Sequence, residues 1–361
     1  MKISSFFKQH WKAIIIKPIA LVCIVVLTCM MFNFLLIPTA VATRIGTFMT
    51  DLRNKNEDID ILFLGSSRSY RGIDTASLTE DLGVNVFNLS YECPTYFTTY
   101  YLLQEAYDIC QPQEVYLEVS TQNFKRTTSK YELDVYQQLT GKNRTAYKEN
   151  SDFEYTEFSL FEFSNFLNNF SNGLFTHNVE CKFGDEEDVA RGVNTKKSTY
   201  KGMGYLASSV VAKKKDLVLP PSYFQDGKLW GDDFADKNQL KYFYKIIEFC
   251  QSKNIKVTLY SPPYPEEIFS PNKDSFVAFD LFLNDIMNDY GVDFIDFSKI
   301  KKDIITLKID MFYDANHCNS KGAEMIEPVL VEIINQKENG TYNYSDWFYD
   351  NYLDVVAAYS E

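Results

Sequence analysis

The chain has 361 residues, of which 45% are hydrophobic and 24% are charged, enough for one sizeable core or two modest ones. Its formal net charge is −13, which argues against nucleic-acid binding because phosphate recognition needs clustered Lys and Arg. Seven cysteines are present without a C-x-x-C pair, so we predict no zinc site, no other metal and no cofactor.

An uncharged stretch from Pro18 to Thr43 is long enough to cross a bilayer as a tilted helix. Basic residues are denser before it than after it. The positive-inside bias therefore predicts a cytoplasmic N-terminus at 1–17, a single-pass membrane anchor at 18–43 and an extracytoplasmic remainder. A cleaved signal peptide is the alternative, because residues 40–42 (Ala-Val-Ala) have the form of a cleavage site. A polar linker is predicted at 44–58.

Short apolar runs bounded by polar or turn residues predict five β-strands in the remainder of the chain. They are Asp60–Leu64, Val84–Phe87, Glu114–Val119, Ile255–Tyr260 and Val292–Phe297. Helical periodicity alternates with these strands, and the predicted helices are Thr95–Ile109, Asp236–Gln251, Phe279–Asn288 and one from about Ser320 to about Asn335. Strands that alternate with helices predict a parallel sheet covered on both faces, with ligands at the carboxyl ends of the strands.

Two segments do not follow this alternation. Residues 125–235 are aromatic and polar and are predicted to be a large insertion between the third and fourth strands, within a domain at 59–337. Such insertions often cover the active-site face of α/β folds. An aromatic C-terminal tail at 338–361 follows; packing on the domain, stacking on sugars and lying at a membrane interface are the alternatives for it. Pro328 falls inside the last predicted helix and is expected to kink it or to mark a later start.

The first motif with chemical meaning lies directly after the first predicted strand. Residues 63–68 (Phe-Leu-Gly-Ser-Ser-Arg) place Ser67 just past the carboxyl end of the strand, in a turn that contains glycine. A serine there is exposed at the ligand face, and adjacent backbone N–H groups can stabilise an oxyanion. By itself this turn is weak evidence for a nucleophile.

The second motif, residues 313–322 (Tyr-Asp-Ala-Asn-His-Cys-Asn-Ser-Lys-Gly), precedes the last predicted helix. A hydroxyl nucleophile needs a base, and the base needs a group that fixes its tautomer. Asp314 and His317, three residues apart, supply both. The chain has two other histidines: His10 precedes the apolar stretch, and His177 has no carboxylate motif beside it.

Together, Gly-x-Ser after the first strand and Asp-x-x-His before the last helix resemble the SGNH (GDSL-like) hydrolase superfamily. The resemblance covers about 59–124 and 236–335. It implies an α/β fold, a flavodoxin-like three-layer sandwich with about five parallel strands, here with a large insertion and an N-terminal transmembrane helix. Ser67 matches the nucleophile, His317 the base and Asp314 the aspartate that orients the base. Ser66 is the alternative nucleophile if the register differs by one residue.

The oxyanion-binding groups that the resemblance implies depart from the family pattern. The backbone N–H groups beside the serine, including that of Arg68, are expected donors. Cys93 stands where the family has a glycine, which retains a backbone N–H but not the conformational freedom of glycine. In place of the family asparagine, Gln122 occupies the aligned position, and Asn123 follows it.

The Gly-Ser-Ser turn, the predicted anchor and the long insertion narrow the resemblance to a branch that contains DltD-like and alginate-acetylation-like proteins. Such proteins act outside the membrane on cell-envelope polymers, commonly with a multipass membrane-bound O-acyltransferase. The resemblance therefore implies an extracytoplasmic serine O-acyltransferase or esterase that acts on a cell-surface polysaccharide or teichoic acid, with that multipass enzyme as a partner. An acyl-Ser67 intermediate would carry the group.

Two further hypotheses remain from the sequence. The altered oxyanion positions favour a catalytically inactive accessory or polysaccharide-binding protein that keeps the fold. A lipase-like or thioesterase activity on a membrane-tethered donor is the other. Arg71, close to the serine, is a candidate for binding an anionic polymer or carboxylate, and a structural ion pair is its alternative role.

Overall fold

The structure, a computed structural model, describes residues 15–36, 44–55, 58–92, 94–128, 132, 139 and 194–360. Its helices are α1 (Lys17–Leu36), α2 (Arg44–Lys55), α3 (Ser67–Gly72), α4 (Thr75–Leu82), α5 (Tyr96–Cys110), α6 (Thr121–Lys125), α7 (Lys237–Ser252), α8 (Lys273–Tyr290), α9 (Ser320–Glu338), α10 (Tyr344–Trp347) and α11 (Tyr352–Ser360). Its strands are β1 (Ile61–Leu64), β2 (Val86–Asn88), β3 (Glu114–Glu118), β4 (Thr199–Tyr200), β5 (Leu206–Ala207), β6 (Lys256–Ser261) and β7 (Asp293–Asp296).

One sheet organises the domain. Its five strands run parallel in the order β2-β1-β3-β6-β7, and β4 and β5 form a separate antiparallel pair. Counted along the chain, the sheet strands therefore have the order 2-1-3-4-5 of flavodoxin-like folds. The predicted parallel sheet of about five strands is confirmed, and each predicted apolar run contains or overlaps one of these strands. The strand order changes direction between β1 and β3, which is where ligands bind in such sheets.

Side chains on successive strand positions point to opposite faces of the sheet, and both faces are covered. Leu62 and Leu64 pack into one core cluster, with α5 and α7, whereas Ile61 and Phe63 pack into the other, with α9. Because the strands are buried on both sides, they appear in the sequence as continuous apolar runs without alternation. The two clusters give the three-layer arrangement.

The N-terminal region differs in part from the prediction. In α1 the side chains of residues 17–28 and 31 are described, and among the described residues no helix is long and apolar enough to cross a membrane. The predicted linker at 44–58 is wrong, because α2 is a helix whose apolar residues are buried in the core. Ile45, Phe48, Met49 and Leu52 recur at the spacing of one helical face, and the polar residues between them had masked that pattern.

The longest described part of the insertion, residues 194–235, contributes the β4–β5 pair and packs around the start of α9. Ser320 donates its N–H to the carbonyl of Ser208 at 2.7 Å, and Ala212 donates to that of Phe312 at 2.8 Å. The C-terminal tail packs on the domain, where Tyr352 is 3% exposed. α9 starts at Ser320 as predicted but has Asn319 as its N-cap, and it continues through Pro328 to Glu338.

Candidate active site

Residues 65–68 form a turn at the carboxyl end of β1. We call it the nucleophile turn because it carries the candidate nucleophile Ser67. Ser66 is the N-cap of α3, and its Oγ accepts a hydrogen bond from the backbone N–H of Arg68 at 3.2 Å. Ser67 is consequently the first residue of the helix, where a backbone N–H has no partner within the helix itself. The turn thus presents the Ser67 hydroxyl and its own N–H at the edge of the sheet where β1 and β3 end.

Three side chains form a hydrogen-bonded chain at this edge. The Oγ of Ser67 lies 2.7 Å from Nε2 of His317, and Nδ1 of His317 lies 2.9 Å from both carboxylate oxygens of Asp314. These are hydrogen-bond distances, and the order hydroxyl, imidazole and carboxylate is that of a catalytic triad. The structure therefore brings together Ser67, Asp314 and His317, which lie at opposite ends of the domain sequence.

Asp314 is held so that it orients the imidazole ring. One of its oxygens accepts the backbone N–H groups of Asn316 and His317, each at 3.0 Å. Burial would raise the pKa of Asp314, but the hydrogen bond and charge of His317 and the two backbone donors outweigh burial, so the pKa lies below its ordinary value of 3.8. Asp314 is therefore a carboxylate at neutral pH, which is the form that stabilises an imidazolium.

The loop that carries the aspartate and histidine is closed on itself and capped. The N–H of Tyr313 donates to the carbonyl of His317 at 2.8 Å. Asn319 accepts the N–H of Gly322 at 3.1 Å, as the N-cap of α9. Burial raises the pKa of the adjacent Cys318 to about 12, so this thiol stays protonated and does not compete with Ser67 as a nucleophile.

Sequence reasoning missed Glu118, which holds the nucleophile turn by accepting two hydrogen bonds from Ser66. It is the last residue of β3, is fully buried, and accepts the hydroxyl of Ser66 at 2.8 Å and also its backbone N–H. A Cβ on Gly65 would lie 2.4 Å from the Cβ of Glu118, which explains why glycine precedes the two serines. A charged residue at the end of an otherwise apolar strand was the signal in the sequence.

The Arg68 side chain has a structural role, whereas the predicted oxyanion donor is its backbone N–H. Its side chain is 2% exposed and donates to the carbonyls of Asn316 (3.2 Å) and Pro262, and its guanidinium stacks on Tyr264 with Cζ 4.0 Å from the ring centre. Its backbone N–H is bound to Ser66. The Arg68 side chain therefore joins the nucleophile turn, the histidine loop and the end of β6.

The other predicted oxyanion groups make no hydrogen bond to Ser67 among the described residues. Asn123 is 3% exposed, and its side chain lies beside the hydroxyl of Tyr96. Gln122 is half-buried and makes no hydrogen bond through its side chain to another described residue. Cys93 lies outside the described residues. In the same loop as Gln122, the hydroxyl of Thr121 is buried without a hydrogen-bond partner among the described residues.

Arg71 lies one helical turn beyond the nucleophile. It is 8% exposed, donates to the hydroxyl of Ser198 at 3.1 Å, and places Cζ 4.7 Å from the ring centre of Tyr313. Among the described residues it has no carboxylate within ion-pair distance, so the alternative of a structural ion pair is not observed. The same part of the chain contains no group of three side chains placed to hold a metal ion. Cys23, Cys110, Cys250 and Cys318 are free.

Comparisons with known proteins found solved structures of low similarity to this chain. The sequence matches no established family and no curated protein. Solved structures similar to the chain include a proposed acylhydrolase from Bacteroides fragilis, with 10% identity, a TM-score of 0.39 and coverage of 79% of this chain and 93% of that one. A GDSL-like lipase from Bacteroides thetaiotaomicron has 10% identity, a TM-score of 0.38 and coverage of 79% and 90%. The lipase/acylhydrolase from Enterococcus faecalis has 12% identity, a TM-score of 0.35 and coverage of 77% and 97%.

Proposed function

We propose that this protein is a serine-dependent enzyme that cleaves or transfers an acyl ester. The observation that carries the proposal is the hydrogen-bonded chain from Ser67 through His317 to Asp314, with 2.7 Å between hydroxyl and imidazole. In this arrangement the imidazole removes the hydroxyl proton and the carboxylate holds the ring in the required tautomer. The fold is consistent with the role, because all three groups lie at the carboxyl edge of the parallel sheet.

In the first half of the reaction, Ser67 Oγ attacks the carbonyl carbon of the ester while His317 Nε2 accepts the hydroxyl proton. Asp314 stabilises the imidazolium that results, and the oxygen of the tetrahedral intermediate becomes negative. The Ser67 backbone N–H at the start of α3 is the first candidate to donate to that oxygen. The C–O bond to the leaving alcohol then breaks, His317 returns the proton to the alcohol, and an acyl-serine remains.

In the second half, His317 removes a proton from an incoming hydroxyl, which attacks the acyl-serine. Water as the nucleophile gives a carboxylic acid and makes the enzyme an esterase; a sugar or polyol hydroxyl gives a new ester and makes it an acyltransferase. Ser67 regains its proton in either case. The same three residues serve both outcomes, so the acceptor that occupies the site determines which reaction occurs.

The substrate we propose is a polysaccharide or teichoic acid of the cell envelope, with a multipass membrane-bound O-acyltransferase as the partner that supplies the acyl group. The partially open site fits a polymer, because the Asp314 side chain is 33% exposed and the His317 side chain 18% exposed. The uncharged stretch at 18–43 supports an extracytoplasmic domain tethered at the membrane by a single pass, with the N-terminus in the cytoplasm.

A catalytically inactive accessory protein is the second candidate, and one observation favours it. The Asn123 side chain lies beside the Tyr96 hydroxyl and makes no hydrogen bond to Ser67, and removal of one oxyanion donor typically costs about 2.7–4 kcal/mol of transition-state stabilisation. The two candidates differ in whether Ser67 reacts with an electrophile, which a labelling experiment measures directly.

The test is labelling of the purified full-length protein with a fluorophosphonate probe, followed by hydrolysis of p-nitrophenyl acetate. We expect the wild type to be labelled, Ser67→Ala and His317→Ala to be silent, and Ser66→Ala to be labelled more slowly because the turn loses its bond to Glu118. Ser252→Ala, an exposed serine on α7, is the matched control and should behave as the wild type. Labelling of Ser67→Ala at the wild-type rate would refute the assignment. An inert wild type would favour the accessory protein.

A further inference from the structure

Arg71 is a buried cation on α3, the helix that begins at Ser67. It lies four residues after Ser67, a spacing that places both residues on the same side of a helix. Its residue exposure is 8%, and the contacts made by its guanidinium are one hydrogen bond to Ser198 and the faces of Tyr313 and Tyr70, with Cζ 4.7 and 5.8 Å from the ring centres. Among the described residues, these contacts leave most of its five N–H donors without a partner.

Arg71 lies beside the catalytic base. The ring of Tyr313, which its guanidinium covers, lies edge-on to the ring of His317 with 6.4 Å between centres. Tyr313 also precedes Asp314 in the chain. The guanidinium is therefore separated from the imidazole by a single aromatic side chain, and a group bound to Arg71 lies next to the reacting ester.

Arg68, on the same helix, is a buried arginine whose guanidinium has several hydrogen-bond partners and a nearby carboxylate, which allows a comparison with Arg71. Arg68 lies 3.9 Å from the carboxylate of Glu118 and donates to Ser261 and to the carbonyls of Asn316 and Pro262. Arg71 has no carboxylate within 4.0 Å among the described residues, and the nearby Asp314 is engaged by His317. Burial of a charge without a carboxylate partner is costly, so a bound anion would stabilise a site of this kind.

The charge of the protein makes this cation more significant. The net charge of −13 repels anionic polymers at long range, so an anionic substrate needs a local positive group at the site. The turn that supplies Ser198 also carries Lys196 and Lys197, both exposed. Arg71 therefore contacts a turn that carries two exposed positive charges.

We propose that Arg71 is a subsite for an oxyanion, a carboxylate or a phosphate, carried by the substrate close to the ester that Ser67 attacks. The planar guanidinium suits the two oxygens of such a group, which it can bind in a bidentate way. The inference rests on the proposed function for the position of the ester, but binding of the anion does not require the reaction. It specifies an anionic polymer, built of uronic acids or linked by phosphates, over a neutral one.

The activity test uses the full-length protein and three acetyl esters of similar size: 1-O-acetylglycerol, 1-O-acetylglycerol 3-phosphate and 3-O-acetylglycerate. We expect the wild type to prefer at least one anionic ester over the neutral one by about 10-fold or more in kcat/KM, the effect of a charge-assisted hydrogen bond. Arg71→Gln should remove that preference, so that kcat/KM falls about 10-fold more for the preferred anionic ester than for the neutral ester, and Arg71→Lys should retain part of the preference because only the fork is lost. Which anionic ester is preferred separates phosphate from carboxylate recognition.

Arg53→Gln, which removes an arginine 41% exposed and paired with Glu105 on α5, is the control and should leave the preference intact. A binding experiment separates failure of the subsite from failure of catalysis. Ser67→Ala protein is titrated by calorimetry with glycerol 3-phosphate, glycerate and glycerol, with and without Arg71→Gln. Binding of an anion that Arg71→Gln abolishes supports the subsite even if no ester is hydrolysed. An equal loss of kcat/KM for all three esters in Arg71→Gln, or no anion binding by the Ser67→Ala protein, would overturn the proposed subsite.

Discussion

Removal of the Glu118 carboxylate is the most direct test of how the nucleophile turn is held. Glu118 is fully buried at the end of β3 and accepts two hydrogen bonds from Ser66, the residue before the nucleophile. It also lies 3.9 Å from a nitrogen of Arg68, which is itself 2% exposed. Glu118→Ala therefore leaves two donors of Ser66 and one buried cation without this acceptor.

The expected loss of unfolding free energy follows from these contacts. Removal of one partner of a buried ion pair typically costs about 3–5 kcal/mol, and a buried donor left without a partner costs about 1–3 kcal/mol. The losses overlap because Arg68 keeps its bonds to Asn316 and Pro262, so we expect about 4 kcal/mol for Glu118→Ala. Glu118→Gln keeps the volume and both contacts to Ser66 and loses the charge, so about 1–2 kcal/mol is expected.

The assay is urea unfolding at 25 °C, monitored by tryptophan fluorescence with the buried Trp230 as one of the reporters. Fluorophosphonate labelling below the unfolding transition then measures whether the turn still presents Ser67, and it should be slower in the alanine variant than in the glutamine variant. A loss below about 1 kcal/mol for Glu118→Ala, or equal losses for both variants, would show that the carboxylate does not hold the turn.

Two further variants test the base and the fold. Asp314→Asn should lower kcat about 10³- to 10⁴-fold, as in other triads, without preventing folding. Because the folded pKa of Asp314 lies below its ordinary 3.8, its ionised form stabilises the fold above about pH 4, and this contribution is lost as the pH falls through the folded pKa. Wild-type stability should thus fall more between pH 5 and pH 3 than that of Asp314→Asn, and parallel curves would contradict the lowered pKa. Gly204→Ala should cost about 1–3 kcal/mol more than Gly227→Ala in urea unfolding. Both glycines have positive φ (82° and 75°), but only at Gly204 would a Cβ meet a backbone atom, the Asn88 oxygen at 1.7 Å. Equal losses would contradict that close approach.

The sequence was sufficient for the sheet because its five strands are buried on both faces. Continuous apolar runs such as Ile61–Leu64 are visible without alternation, and the turn and loop residues that bound them are local signals. The spacing of Asp314 and His317 was also informative, since a carboxylate three residues before the base can bind both its ring and its backbone N–H. Local patterns thus predicted the elements and the residues that meet at the site.

Contacts between distant segments could not be predicted in this way. The bond between Glu118 and Ser66 joins the ends of β3 and β1, and the position of Arg71 against Tyr313 joins α3 to the histidine loop. Each depends on the packed sheet, and no spacing in the sequence encodes it. The helix α2 was missed for another reason, because its four buried apolar residues are separated by enough polar residues to resemble a linker.

The position of Asn123, a predicted oxyanion donor, is set by a local helix cap. Ser120 caps α6, and its hydroxyl accepts the N–H of Asn123 at 3.3 Å, so the chain turns into a helix two residues after β3 ends. That turn carries the Asn123 side chain to Tyr96 in the core. If Ser67 reacts at a measurable rate, the oxyanion must be stabilised by donors other than this amide, and Asn123→Ala should reduce stability more than it reduces the labelling rate. A labelling rate that falls about 100-fold or more in a folded Asn123→Ala protein would instead indicate that the Asn123 amide donates to the oxyanion.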